Sequence, residues 1–303
     1  MAGGFHRRLG MMNTTYEDYL RQGRQAGMRY AVASPENARA GFAGARLANL
    51  PGSSLEFMDH REYQPGDDLR RVDWSAFART DRLTVRLYRQ EVNPHVDVLV
   101  DGSRSMALEG TAKAEATIGL AALLATAAEN VGFTHGTWLA AESWQPLANG
   151  TKSPDCWGPM DFDYAGNPSQ SFEVLPPSLA PRGIRFFLSD LLWLGDPLAL
   201  LARLAEKAAA VVVVQVLADA DANPTQRGNL RLVDVETSAE REVFVDAVAE
   251  RRYRTALARH QQNWNRAARQ VGALMTTIVA ERLIEGWELE DLVAAGVLKV
   301  GRQ

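Results

Sequence analysis

The sequence predicts an α/β fold: a mostly parallel sheet covered by helices, with an N-terminal segment of helix and strand in front of it. Three observations predict it. The segments HVDVLVD, IRFFLSD and AVVVVQVLA are short and almost wholly apolar, as strands buried on both faces are. Helix-like stretches alternate with them, the order of βα units joined by right-handed crossovers. The first two segments end in small polar residues and a carboxylate, at the strand ends where open α/β sheets bind ligands.

Each element has its own signal. Asn13, Thr14 or Thr15 can cap a helix running to about Gly27. Ser34 followed by Pro35 starts a second helix, which carries Ala38, Phe42 and Leu47 inward and is broken at Pro51 and Gly52. A charged, aromatic stretch follows over 55–91, and its end, LTVRLYRQE, alternates as a strand does. Residues 111–130 read as an alanine-rich amphipathic helix, and FTHGTWLAAESWQPL as two strands joined by a turn. The stretch 148–182 is rich in Pro, Gly, Ser and Asp and reads as an irregular insertion. Asp196 caps a helix with Pro197 in its first turn. NLRLVDVETSAEREVFVD reads as a hairpin, 248–271 as a long charged helix, ALMTTIVA as a strand and WELEDLVAAGVL as a closing helix. The expected organisation is an N-terminal helical segment over 1–54, a charged segment over 55–94 packed on the core, and an α/β domain over 95–303.

Bulk properties narrow the function. With 33 basic and 37 acidic residues the net charge is −4, so nothing draws the chain to nucleic acid or an anionic membrane. The single cysteine, Cys156, cannot form an internal disulfide and has acidic rather than cationic neighbours, the setting of an inert thiol in a reducing compartment. The two arginines near the N-terminus lack the apolar run of a signal peptide, and the longest apolar stretch is too short to span a bilayer. A cytoplasmic location is expected.

The chemistry gathers at two strand ends. The first buried strand runs into Asp101, Gly102, Ser103, Arg104, Ser105 and Met106, and the second ends in Ser189 and Asp190. If these strands are neighbours, two carboxylates and the hydroxyls of Ser103 and Ser105 converge. Carboxylate and hydroxyl oxygens suit Mg²⁺, Mn²⁺ or Ca²⁺ rather than zinc or copper. A cation with few charged ligands stays electron-poor and can accept a carboxylate from a partner protein. The plain alternative is that Asp101 caps the next turn and the serines fill a loop.

DGSRS fits the Asp-x-Ser-x-Ser pattern of von Willebrand factor A-like domains. REYQPGDDLRRVDWSAFARTDRLTVRLYRQE, about thirty residues upstream, resembles the signature of the bacterial domain of unknown function 58 family. The resemblance runs from about residue 40 to the C-terminus and returns at FLSD, LRLVDVET and RRYRTAL. It implies a Rossmann-like von Willebrand factor A-type domain with a metal-ion-dependent adhesion site, and association with MoxR-type AAA+ ATPases. Carried onto this chain, the metal ligands are Asp101, Ser103, Ser105 and Asp190. The threonine of such sites has no clear match, and Thr151 is the candidate that remains.

Within the upstream signature, Arg61, Tyr63, Pro65, Gly66, Asp67, Asp68, Arg70, Asp73 and Trp74 stand out. Pro65 and Gly66 suit a type II turn. Arg61 or Arg70 can grip Asp67, Asp68 or Asp73 through paired hydrogen bonds. The cluster reads as a structural clasp, or as a docking face in which Trp74, Phe77 and Arg79 are anchor residue types.

Other chemistries lack their motifs. The histidines His6, His60, His95, His135 and His260 are not at metal-ligand spacing, and no phosphate-binding, dinucleotide-binding or nucleophile-elbow motif is present. The cationic helix with Arg251, Arg252, Arg254 and Arg259 reads as a solvated face. The expected function is a non-enzymatic, divalent-cation-dependent adaptor whose partner is a MoxR-type ATPase or its client. The same carboxylates also allow a Mg²⁺-dependent phosphoester hydrolase, or an interaction protein with a vestigial metal site.

Overall fold

The three apolar segments are adjacent strands of one sheet. The computed structural model describes residues 3–33, 56–64, 67, 72–89 and 94–301, with backbone alone for 3–14, 56–60 and 86–89. The chain divides into two compact units: Met1–Gly44 with Pro94–Gln303, and Ala45–Asn93. The larger unit opens with helix α1 (Gly3–Gly27), longer than its capping residues suggest, and strand β1 (Tyr30–Val32). The helix expected over 35–47 and its break at Pro51 lie outside the described residues.

The smaller unit contains β2 (Glu56–Glu62), α2 (Trp74–Thr80) and β3 (Thr84–Arg89). The two strands pair antiparallel, with a bulge between Phe57 and Asp59. Val72 bridges to Val85, and both are buried. Neither β2 nor α2 was legible in that charged stretch.

The rest of the larger unit follows as β4 (His95–Asp101), α3 (Lys113–Glu129), β5 (Thr134–Ala140), β6 (Trp144–Pro146), α4 (Pro168–Val174), β7 (Ile184–Ser189), α5 (Pro197–Ala205), β8 (Ala210–Leu217), α6 (Asp219–Ala222), β9 (Gly228–Val233), β10 (Glu240–Val245), α7 (Ala247–Gln270), β11 (Leu274–Val279), α8 (Ala280–Gly286), α9 (Glu290–Ala294) and β12 (Leu298–Val300). The central sheet has the order β11-β8-β7-β4-β5-β6. All of its pairings are parallel except the β5–β6 edge. This is the mixed α/β architecture that the alternating pattern predicts.

Strand alternation divides the core in two. Val98, Val100, Phe186, Leu188, Val212 and Val214 face the cluster built with α3. Leu99, Phe187, Val211 and Val213 face Leu200, Leu201 and Leu204 of α5, and Trp264 and Ala267 of α7. Helix α3, expected to be amphipathic, is buried along nearly its whole length from Ala116 to Ala128. The reason is α1, which packs on it through glycine: a Cβ at Gly23 would lie 2.0 Å from the Gly119 carbonyl oxygen. A helix covered on both sides has no polar face to conserve. The closing strand β12 pairs antiparallel with β1, tying the two ends of this unit together.

Candidate functional site

The order of the sheet fixes where a site can form. From β4 the chain crosses to β5 on one side, whereas β7 lies on the other side and leads to β8. The crevice at the carboxyl ends of β4 and β7 is therefore a topological switch point. Val100 pairs with Leu188, so Asp101 and Ser189 end neighbouring strands. The Ser189 hydroxyl donates to Asp101 Oδ2 at 2.7 Å.

The loop after β4 folds tightly against this edge. The Ser103 amide donates to Asp101 Oδ1 at 2.9 Å, and the Ser103 and Ser105 hydroxyls are 3.1 Å apart. Only glycine fits at 102, because a Cβ there would meet the Ala140 carbonyl oxygen at 2.2 Å. The irregular segment holds the loop from outside. The Tyr164 amide donates to the Gly102 carbonyl, the Arg104 amide to the Tyr164 carbonyl, and the Arg104 Nε to the Asp163 carbonyl. Met106 is fully buried, and its sulfur accepts the Asp190 amide at 3.2 Å.

The structure thus brings Asp101, Ser103, Ser105 and Asp190 to one edge, but it gives Asp190 other partners. Asp190 Oδ2 accepts from the Lys113 Nζ at 2.7 Å, and Oδ1 accepts the Leu192 amide at 3.0 Å. Lys113 is 1% exposed and lies 3.3 Å from Asp221 Oδ2 as well. Burial pulls the Lys113 ammonium towards neutrality, but Asp190 and Asp221 outweigh it and hold the group charged. Asp101 is fully buried, and burial together with the Asp190 charge pushes its carboxyl well above the usual range. Among the described residues, Asp101 has no cationic partner such as Lys113 gives Asp190.

A further carboxylate comes from a distant element. Glu236, in the turn between β9 and β10, accepts the Ser105 amide on Oε1 at 3.2 Å. Its Oε2 is buried and has no hydrogen-bond partner among the described residues. Burial and the charges of Asp190 and Asp234 raise its carboxyl, against hydrogen bonds from Ser105 that lower it. Thr151 is exposed in the turn after β6 and makes no hydrogen bond to the edge among the described residues.

Lys113, Asp221 and Glu236 were missed by sequence reasoning, whereas Ser189 was read as a strand end but not as a partner of Asp101. Two left a signal. A lysine in the first turn of an apolar helix opposes the helix dipole unless carboxylates hold it there. The third apolar strand, like the others, runs into acidic residues, Asp219 and Asp221. Glu236 left none, because only the folded hairpin carries it to Ser105.

A hard divalent cation fits these donors in kind: carboxylate and hydroxyl oxygens, with one buried carboxylate oxygen unsatisfied. Among the described residues no three His, Cys, Asp or Glu side chains could hold a metal by themselves. Any cation here must therefore lean on the serine hydroxyls, which leaves it electron-poor.

In the smaller unit, Arg61 Nη2 pairs with Asp67 Oδ1 at 2.6 Å, and Asp67 Oδ2 accepts the Gln64 amide. That amide and Arg61 hold the Asp67 carboxyl below its ordinary value. Asp73 caps α2 by accepting the Ser75 and Ala76 amides. Trp74 is 58% exposed and meets Phe77 edge to face, Tyr63 is half-buried, and Pro65, Gly66, Asp68 and Arg70 lie outside the described residues. Arg61 and Asp67 do meet, but through one hydrogen bond rather than a pair: Arg61 Nη1 turns to the Glu62 carbonyl, and Asp67 Oδ2 is taken by the Gln64 amide.

No helix among the described residues is long and apolar enough to cross a membrane. The chain is 28% identical over 261 residues to the uncharacterized protein Rv1480 of Mycobacterium tuberculosis and, equally, to the uncharacterized protein Mb1516 of Mycobacterium bovis, covering 79% of this chain and of each relative. Among solved structures it is similar to a conserved hypothetical protein, BatB, from Bacteroides thetaiotaomicron, at 10% identity and a TM-score of 0.33, over 66% of this chain and 99% of that one. It is also similar to an aerotolerance-related membrane protein from Bacteroides fragilis, at 12% identity and a TM-score of 0.35, over 63% and 95%. The family model described as "Protein of unknown function DUF58" matches residues 59–263, and the chain belongs to that family.

Proposed function

We propose that this protein is a non-enzymatic, divalent-cation-dependent interaction module of the von Willebrand factor A type, acting as an adaptor for a protein partner in the cytoplasm. The observation that carries the reading is the meeting of Asp101, Ser103 and Ser105 at the switch point of the sheet, where a buried carboxylate lacks a counter-charge. Ser103 and Ser105 would hold the ion by their hydroxyls, with Asp101 and Asp190 acting on it through charge and water. The ion would supply a Lewis-acidic surface point able to take an acidic side chain of the partner. The protein's own residues do the remaining work. Ser189 and the Ser103 amide fix the Asp101 carboxylate, and Lys113 neutralises Asp190 so that the edge is not overwhelmed by negative charge. The family resemblance suggests a MoxR-type AAA+ ATPase or its client as the partner, in assembly or chaperone-like maturation.

The test is a calorimetric Mg²⁺ titration of wild type and Asp101→Ala, paired with capture of the ATPase in Mg²⁺ and in chelator. Saturable heat lost in Asp101→Ala, with capture lost in chelator, is the expected result. Equal heats in both proteins, or capture indifferent to chelator, would overturn the reading.

A further inference from the structure

The turn between β9 and β10 is built to point one side chain at the metal edge. Asp234 Oδ1 accepts the amides of Glu236 and Thr237, at 3.0 and 2.8 Å, which locks the turn. Ser238 completes it in the left-handed region at φ 59°. The Glu236 backbone carbonyl accepts from Arg104 Nη1 at 3.4 Å, and its Oε1 accepts the Ser105 amide. Both contacts fall inside the 101–105 loop, so the hairpin tip is clasped to the residues proposed to hold the cation.

The placement is unfavourable for a carboxylate with no cation beside it. An ionised carboxylate can accept about four hydrogen bonds, yet the buried Oε2 of Glu236 has none among the described residues. The group also faces the charges of Asp190 and Asp234. Lys113 makes its ion pairs with Asp190 and Asp221 instead. A buried acceptor without a partner forfeits the hydrogen bonds it would make in water, which is unfavourable. The hairpin strands offer little in return, since Leu232, Val233 and Phe244 are exposed.

We propose that Glu236 is the chain's own carboxylate ligand for the cation at the Ser103–Ser105 edge. It occupies the coordination position that the site would otherwise offer to an acidic side chain of a partner. The inference rests on the metal reading above. It adds regulation: the cation ties the hairpin to the sheet edge, and a partner bearing an accessible Asp or Glu must displace Glu236.

The test uses the full chain with Mg²⁺ as probe and Glu236→Gln, which keeps the shape and removes the charge. Calorimetry measures affinity, and hydrogen–deuterium exchange follows the amides of 228–245. In wild type, saturating Mg²⁺ is expected to slow exchange in the hairpin. In Glu236→Gln, affinity is expected to fall on the order of 10–100-fold, with hairpin exchange no longer responding to Mg²⁺. Wild-type binding with unchanged affinity in Glu236→Gln, or a hairpin indifferent to Mg²⁺ in wild type, would overturn the proposal and leave the metal site standing. No Mg²⁺ heat in wild type would overturn both. Matching thermal melts of the two proteins without Mg²⁺ keep a folding defect apart from these outcomes.

Discussion

Lys113 Nζ lies 2.7 Å from Asp190 Oδ2, and the two side chains are 1% and 2% exposed. The pair joins the first turn of α3 to the end of β7, and Asp221 beyond β8 closes it from the other side. Among the described residues, Lys113 is the buried cation of an edge that otherwise carries carboxylates and serine hydroxyls. Removing one partner strands the other charge in a dry interior, which costs about 3–5 kcal/mol, whereas removing both costs less. Lys113→Met is therefore expected to lower stability by about 3–5 kcal/mol and Asp190→Asn by a similar amount. The double variant is expected to lose clearly less than the sum. Urea denaturation of the four proteins gives the coupling, and strict additivity would show that the pair does not act as one unit.

What the sequence reveals and what it hides follow from range. The strands β4, β7 and β8 are apolar on both faces, a local property, so they and their acidic ends are readable in order along the chain. The pattern leaves the adjacency of β4 and β7 open, because β5 and β6 lie between them in the chain; only the sheet order brings Asp190 beside the loop of Asp101, Ser103 and Ser105. The strands β1 and β12 are only three residues each, too short for periodicity, and exist because they pair with each other. In the smaller unit, α2 is specified by the Asp73 cap rather than by any apolar stripe; none of its residues is buried. Lys113 and Glu236 matter through contacts 77 and 131 residues away in sequence. No local pattern encodes such distances.

The close crossing of α1 and α3 makes a sharp prediction about glycine. A Cβ at Gly119 would sit 2.0 Å from the Trp287 ring, and one at Gly27 2.7 Å from the Leu123 carbonyl oxygen. Gly119→Ala would raise helix propensity in isolation, but here it forces the helix, the ring or both to move. The expected net effect is a loss of about 1–3 kcal/mol or more, as for overpacked cores. Thermal unfolding would check it; a stabilised Gly119→Ala would mean that α1 and the segment at Trp287 do not press on α3 as described.

Helix α7 carries a pH-dependent cap. Asp246 accepts the amides of Val248 and Ala249 at 2.9 and 2.7 Å. The Ala249 amide chiefly holds its carboxyl below the ordinary value. A carboxyl depressed in the folded state contributes stability above its unfolded pKa, and that contribution disappears as pH falls through the folded pKa. Asp246→Ala is therefore expected to melt below wild type near neutrality, with the gap narrowing as the solution is acidified through the carboxylate range. A gap that stays constant down to acid pH would show that the cap does not depend on charge.

Lys113 also sets how strongly the edge needs a cation. With the ammonium present, Asp190 is already neutralised, and a divalent ion at Ser103 and Ser105 answers mainly to Asp101 and Glu236. In Lys113→Met, the Asp190 carboxylate loses its cation while remaining buried, and Asp221 loses a partner too. Any metal at the edge then has more negative charge to satisfy, so Mg²⁺ is expected to bind this variant more tightly than wild type. A ligand present at a hundred times its Kd stabilises the folded state by about 2.7 kcal/mol, and tighter binding adds to that. The melting shift produced by a fixed Mg²⁺ concentration should accordingly be larger in Lys113→Met than in wild type. An equal or smaller shift would place the bound cation too far from Asp190 for the lysine to compete with it.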